Sequence, residues 1–299
     1  MIGPILVFGA EGQTGRELIA LASRRKIAAV GLSRAEADIT DADAVRAAIE
    51  RHRPALVVNA AGYTAVDRAE SEPELARTAN VEGAAIVAAS SARAGLPLVQ
   101  LSTDYVFDGE KSGAYVENDP IAPLCVYGRS KAEGEAAVRE AQPHHVILRT
   151  SWVYGVHGKN FLKTVLRQAN ERDELTMVAD QFGCPTATAD IAEAIVLLAP
   201  RLAANPEVSG TYHFAGAGRT SWHGFAAEIV ARQRPFTGRN PRIVAITTAD
   251  YPTAARRPKN STLDCARFQM IFGHSARPWQ ERVAETVDLL LRTAHASAH

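Results

Sequence analysis

A four-residue apolar run near the N-terminus, Ile5-Leu6-Val7-Phe8, leads straight into Gly9-Ala10-Glu11-Gly12-Gln13-Thr14-Gly15 and then into a stretch with helical spacing. Few architectures accept a short buried strand that ends in G-x-x-G-x-x-G and opens a helix. One glycine allows a tight turn, one lets the backbone approach a pyrophosphate, and one lets the helix pack close to the sheet. The pyrophosphate of a dinucleotide then rests on free N–H groups at the positive end of the helix. Gly9, Gly12, Gln13, Thr14 and Gly15 are therefore candidate cofactor-binding residues.

The same rhythm continues through the first half of the chain. Residues 28–32, 55–59, 98–101 and 146–148 are short apolar runs that read as strands. Between them lie helical patterns over 16–26, over 41–52 with Thr40 as N-cap, from about 74 to a stop at Gly95, and from about Tyr127 to just before Pro143. Doubly buried strands alternating with helices require right-handed βαβ crossovers and a parallel sheet. After Trp152 helical stretches dominate, at 161–172, 191–202, 222–232 and 281–292, with strand-like 211–214 and 243–246 between them. The expectation is an α/β fold: a doubly wound Rossmann sheet with a smaller, mostly helical substrate-binding lobe. Residues 1–152 and a returning segment, about 183–217, make the NAD(P)-binding part. Residues 153–182 and 218–299 make the lobe, and the Ala/His/Ser tail after Arg292 is expected to fray.

Composition excludes some partners. The 33 lysines and arginines balance 33 aspartates and glutamates, so no charge footprint points to nucleic acid or an anionic membrane. No run reaches the roughly 18 apolar residues of a membrane span, and no basic segment with a cleavage site precedes the first strand. Cys125, Cys184 and Cys265 have no paired spacing, which fits a reducing cytoplasm and argues against a disulfide framework or a zinc site. Cys125, close to a candidate catalytic tyrosine, reads as a small packing residue.

The end of the second strand bears on the cofactor. An NAD site usually offers an acid there to the ribose hydroxyls, but this strand ends Leu32-Ser33-Arg34 and the first acid is Glu36. A hydroxyl with a guanidinium suits a 2′-phosphate, so Ser33 and Arg34 favour NADPH, with NADH allowed. The alternative for Arg34 is a solvated surface residue. Asp38 and Ile39 are candidates to hold the adenine, and Ala60, Ala61 and Gly62 let backbone pass close to the cofactor.

Chemistry is carried by Ser102-Thr103 at the end of the fourth strand and by Tyr127-Gly128-Arg129-Ser130-Lys131. On a helix, positions i and i+4 share a face. The Tyr127 phenol is a proton donor, the Lys131 ammonium is expected to stabilise its phenolate, and Thr103 offers a hydroxyl to a carbonyl oxygen. Thr103, Tyr127 and Lys131 are the candidate catalytic residues.

With these motifs in order, the chain resembles an extended short-chain dehydrogenase/reductase, and more narrowly the dTDP-4-dehydrorhamnose reductase family. The matching stretches include 9–15, 59–70, Ser102-Thr103-Asp104-Tyr105-Val106-Phe107-Asp108-Gly109, 127–131, 149–154, 180–186 and Arg256-Arg257-Pro258-Lys259-Asn260-Ser261. The resemblance implies reduction of the C4 keto group of dTDP-4-dehydro-β-L-rhamnose by NAD(P)H. It implies that Thr64, Val66, Asp67, Tyr105 and Trp152 shape the sugar pocket, with Arg257 and Asn260 towards the nucleotide. An inter-lobe packing role for Trp152 and a solvated pair for Arg256-Arg257 are the alternatives. Some members of the family are metal-bridged dimers. Glu17 stands near one expected carboxylate but Ala189 near another, so no metal is expected, while a homodimer stays within what the resemblance allows. Rival functions are an epimerase, a dehydratase or a reductase of another deoxysugar on the same scaffold. A non-catalytic subunit like the regulatory subunit of methionine adenosyltransferase is a further rival.

Overall fold

The computed structural model describes residues 3–296, with side chains to residue 293. Six parallel strands form the central sheet. In chain order they are β1 (Ile5–Phe8), β2 (Ala29–Leu32), β3 (Leu56–Asn59), β4 (Leu98–Thr103), β5 (His145–Thr150) and the returning strand Gly210–His213. Their spatial order is β2-β1-β3-β4-β5 with Gly210–His213 at the far edge, inside the segment expected to return to this sheet. The reversal of strand order between β1 and β3 leaves a crevice at their C-terminal ends, which is where doubly wound sheets bind ligands.

Both faces of the sheet are buried because β1 alternates with period two and each set of side chains finds a helical layer. Ile5 and Val7 pack with Leu18 and Leu21 of α1 (Gln13–Arg24) and with Ile191, Ile195 and Leu198 of the helix Thr188–Ala204. Leu6 and Phe8 pack with Val45 and Ile49 of α2 (Ala42–His52), and with Val87 and Val138 from the next two crossover helices. The N-cap of α2 is Asp41, whose carboxylate accepts the Asp43 and Ala44 amides; Thr40, the expected cap, instead bonds to Asp38.

The crossover from β3 to β4 is not a plain helix. It runs through Pro73–Arg77, a π-helical turn at Thr78–Glu82, and Gly83–Arg93. The rest of the chain builds a second core around Tyr154, Leu162, Val165, Phe225, Ile229, Val283 and Val287. Two elements there were not expected. Glu174–Val178 is a strand paired in parallel with Arg242–Ile246. The helix Ala266–Phe272 sends Phe268 and Phe272 into the core of the first sheet, beside Tyr212 and Phe214, although it falls within the 218–299 segment expected in the lobe. The last helix continues from Trp279 to Ala296, so the expected fraying does not begin at Arg292; residues 297–299 of that tail lie outside the described residues. No helix among the described residues is long and apolar enough to cross a membrane.

Candidate active site

The glycine turn has the geometry its spacing implies. Gly9 adopts φ +77°, and a Cβ there would lie 2.7 Å from Ala61 Cα, so β1 and β3 come together only because this residue has no side chain. A Cβ on Gly15 would lie 2.7 Å from Ala10 Cα; its absence seats α1 against the strand. Gly12 is exposed and caps α1 without any side-chain hydrogen bond, and the first turn holds no acid. An uncapped N-terminus lined by backbone is a fit for a pyrophosphate. Thr14 is buried beneath it. The Gln13 side chain reaches away, accepting from Asn160 Nδ2 at 2.9 Å.

At the end of β2 the sequence expectations need correction. Glu36 folds back so that both the amide and the hydroxyl of Ser33 donate to its carboxylate at 2.8 Å, which puts an acid at the strand end after all. Arg34 is 87% exposed and donates to Asp38 at 2.8 Å. Asp38 Oδ1 also accepts from the Thr40 amide and hydroxyl, while Oδ2 takes only the Arg34 bond and keeps an acceptor site. Ile39 is turned into the core against Gly83; it is a packing residue, not an adenine wall.

Thr103, Tyr127 and Lys131 converge. Tyr127 and Lys131 lie one turn apart on the helix Val126–Ala141, and all three side chains are buried. Cys125 caps this helix, its Sγ accepting the Gly128 amide at 3.4 Å; burial pushes its thiol up, which suits packing and not nucleophilic attack. The helix comes very close to the π-helical turn because Gly134 faces Asn80 O, where any Cβ would collide. Asn80, missed in the sequence, is the knot of this region. Its side chain accepts the Tyr63 amide and donates to Tyr63 O and Ser130 Oγ.

The electrostatics differ from the simple expectation. Lys131 Nζ donates to Leu101 O at 2.8 Å. Burial brings its pKa down to about 8, against the upward pull of the Glu135 carboxylate. Burial holds the Tyr127 phenol above its ordinary value, and the group that opposes this is the Thr103 hydroxyl beside it, not the lysine. Thr103 Oγ1 itself lies 3.0 Å from Asp104 Oδ1 and accepts the Tyr105 amide at 3.2 Å. A phenol that keeps its proton, an ammonium of lowered pKa and an oriented hydroxyl form a proton-delivery site at the strand tips.

The remaining candidates divide. Asp67 and Arg257, 190 residues apart, meet in a two-pronged ion pair at 3.0 and 2.7 Å. Tyr105 sits edge-on to Tyr127, ring centroids 5.7 Å apart, and Val66 packs in the same cluster; Thr64 is exposed next to them. Trp152, at the strained φ of +47°, stacks on Trp222 at 3.5 Å within the lobe's aromatic group, so packing accounts for one face of its indole. Asn260 is spent on backbone: it donates to Lys111 O and Gly113 O and accepts from Thr262. It staples two loops and has no atom left for a nucleotide. Beside Arg257, a cavity of about 350 Å³ is lined by Asp108, Leu124, Tyr251, Arg256 and Lys259. Glu17 pairs with Arg24 at 3.1 Å and lies 3.8 Å from His157.

This sequence and fold have close counterparts. A family model described as RmlD substrate binding domain matches residues 3–292. A dTDP-4-dehydrorhamnose reductase of Sinorhizobium fredii is 43% identical over 289 residues, covering 96% of this chain and 97% of its own. Among solved structures, a dTDP-4-dehydrorhamnose reductase of Clostridium acetobutylicum has a TM-score of 0.89 at 36% identity, covering 96% of this chain and 99% of its own. The Bacillus anthracis enzyme, solved in complex with NADP, has a TM-score of 0.88 at 34% identity with the same coverage. Matched by that model over nearly its whole length, and by relatives of this identity across theirs, the chain belongs to the dTDP-4-dehydrorhamnose reductase family.

Proposed function

We propose that this chain reduces the C4 keto group of dTDP-4-dehydro-β-L-rhamnose to give dTDP-L-rhamnose, with NADPH as reductant and NADH as a second choice. The observation that carries this is the meeting of Thr103, Tyr127 and Lys131 at the end of β4, with the Thr103 hydroxyl beside the Tyr127 phenol and Lys131 one turn further along the same helix. The family, and the NADP-bound Bacillus anthracis relative, support the substrate and the cofactor. Gly9, Gly12, Gln13, Thr14, Gly15, Ala60, Ala61 and Gly62 would hold the dinucleotide. Arg34 would turn to a 2′-phosphate, since an exposed surface ion pair is worth at most about 1 kcal/mol and is readily exchanged.

When bound there, NADPH would supply the hydride for C4. Tyr127 gives its proton to the carbonyl oxygen as charge develops there, Thr103 holds that oxygen, and Lys131 is placed to restore the phenol's proton from solvent. Asp67, paired with Arg257, fixes the entrance. Tyr105, Val66, Thr64 and the free edge of Trp152 form the sugar wall. Arg256, Arg257 and Lys259 put positive charge on the cavity where a nucleotide diphosphate would extend. We assign residues 1–152 and 183–217 to the cofactor domain, together with the helix Ala266–Phe272, and the remainder to the substrate lobe. A cytoplasmic setting is in keeping with three free thiols, and a homodimer is part of this proposal, to be read by sedimentation.

The test is to supply the keto-sugar enzymatically, follow NADPH and NADH absorbance, and identify the product by NMR. Stoichiometric NADPH oxidation with a rhamnose-configured product is expected. Tightly retained cofactor with no net oxidation would point to an epimerase instead.

A further inference from the structure

Asp104 is a buried ionisable group that this scheme leaves unused. It is 2% exposed and enters no ion pair among the described residues. Its close partners are hydroxyls: Ser151 Oγ donates to Oδ2 at 2.9 Å, Thr103 Oγ1 lies 3.0 Å from Oδ1, and Ser261 flanks it. An anion so placed is poorly compensated. What depends on its charge follows from counting donors at Thr103. A hydroxyl has one proton and two lone pairs, and the Tyr105 amide already occupies one lone pair. Opposite a carboxylate, Thr103 must give its proton to Asp104, and only a lone pair is left to face Tyr127 and the substrate. The phenol proton is then drawn to Thr103. Opposite a carboxyl group, Asp104 donates to Thr103, and the Thr103 proton is released towards the reacting oxygen.

We propose that Asp104 is a positioning residue whose neutral carboxyl sets the direction of the Thr103 hydroxyl, so that Thr103 donates to the carbonyl oxygen only while Asp104 is protonated. This rests on the reductase function above. Burial raises Asp104 to about 6 against the lowering pull of Ser261, Ser151 and Thr103 and, last, of its own backbone amide. The titratable groups that face it are Tyr105 on its own turn, Tyr127 from the catalytic helix and Cys184 from the lobe boundary. The two phenols are raised above their ordinary value and Cys184 is raised to about 11, so Asp104 is the member of this group that titrates below neutrality. Lys131 titrates apart from it, at about 8.

The experiment is kcat against pH, from about pH 5 to 8, for the wild type, Asp104→Asn and Asp104→Ala at saturating keto-sugar and NADPH, with NADPH affinity measured for each. The wild type should lose turnover as pH rises through the Asp104 titration. In Asp104→Asn the amide keeps a donor towards Thr103 and cannot ionise, so that limb should vanish and the variant should overtake the wild type at the alkaline end. Asp104→Ala leaves the Thr103 hydroxyl with no partner to direct it and should fall below Asp104→Asn, by up to about 10²-fold, the scale of one lost oxyanion donor, with NADPH binding intact. An Asp104→Asn profile with the wild-type limb would overturn the proposal, as would a loss in Asp104→Asn equal to that in Asp104→Ala. Absence of any wild-type turnover would overturn the reductase function along with it.

Discussion

Neighbouring residues of β4 each touch a buried carboxylate, and the two environments are opposites. Ser102 donates to Glu135, which also accepts two bonds from the buried Arg149 and one from Arg139. Burial alone would raise Glu135, but Arg149, Ser102 and Arg139 together bring it below the ordinary carboxylate range. Thr103 touches Asp104, whose partners are hydroxyls and whose pKa is raised to about 6. One carboxylate is a permanent counter-ion that ties the catalytic helix to β5. The other is held near its titration point next to the reacting groups. Equal burial therefore predicts nothing about role; the partners decide.

Glu135→Ala should give the largest change that separates the two. It strands the Arg149 guanidinium without its anion and should cost about 3–5 kcal/mol in denaturant unfolding. Because the folded pKa of Glu135 is depressed, its contribution is present above the unfolded carboxylate value and lost as pH falls through the folded one. A variant within about 1 kcal/mol of wild type would erase the contrast.

Asp104→Asn should act with the opposite sign. A carboxyl whose folded pKa is raised from 3.8 to about 6 binds more protons folded than unfolded between those values. Stability is therefore lost as pH rises through that window, by up to about 3 kcal/mol at about 1.4 kcal/mol per pH unit. The variant should gain on the wild type as pH rises and match it most closely near pH 4. Equal unfolding curves at alkaline pH would break the contrast from the other side. The smallest effect belongs to Ser151→Ala. Removing one stabilising hydroxyl should move the acid-side stability midpoint upward by about one pH unit at most, and a downward move would mean that Ser151 does not serve the anion.

How much of this was legible in the chain follows from how local each feature is. The glycine turn, the alternation of strands and helices, and the i, i+4 placing of Tyr127 and Lys131 depend on short-range spacing, so periodicity and motif were enough to read them. Asn260 and Ile39 carry residue types that suit a ligand, and tertiary packing uses them otherwise. Asp67 and Arg257 were each read as substrate groups, but their ion pair spans most of the sequence and no local pattern announces it. The π-helical turn that sets Asn80 against the catalytic helix has the same apolar spacing as an ordinary helix. Glu36 was noticed and set aside because it lies three residues beyond Ser33, a distance that a single turn closes.

The most direct measurement of the central claim is single-turnover reduction of the keto-sugar by Tyr127→Phe, with NADPH affinity determined in parallel. The hydride-transfer rate should fall by roughly 10²-fold or more, the scale of a lost general acid, while cofactor binding is unchanged. A rate close to that of the wild type would show that the proton comes from elsewhere and contradict the assignment of this cluster as the reducing site.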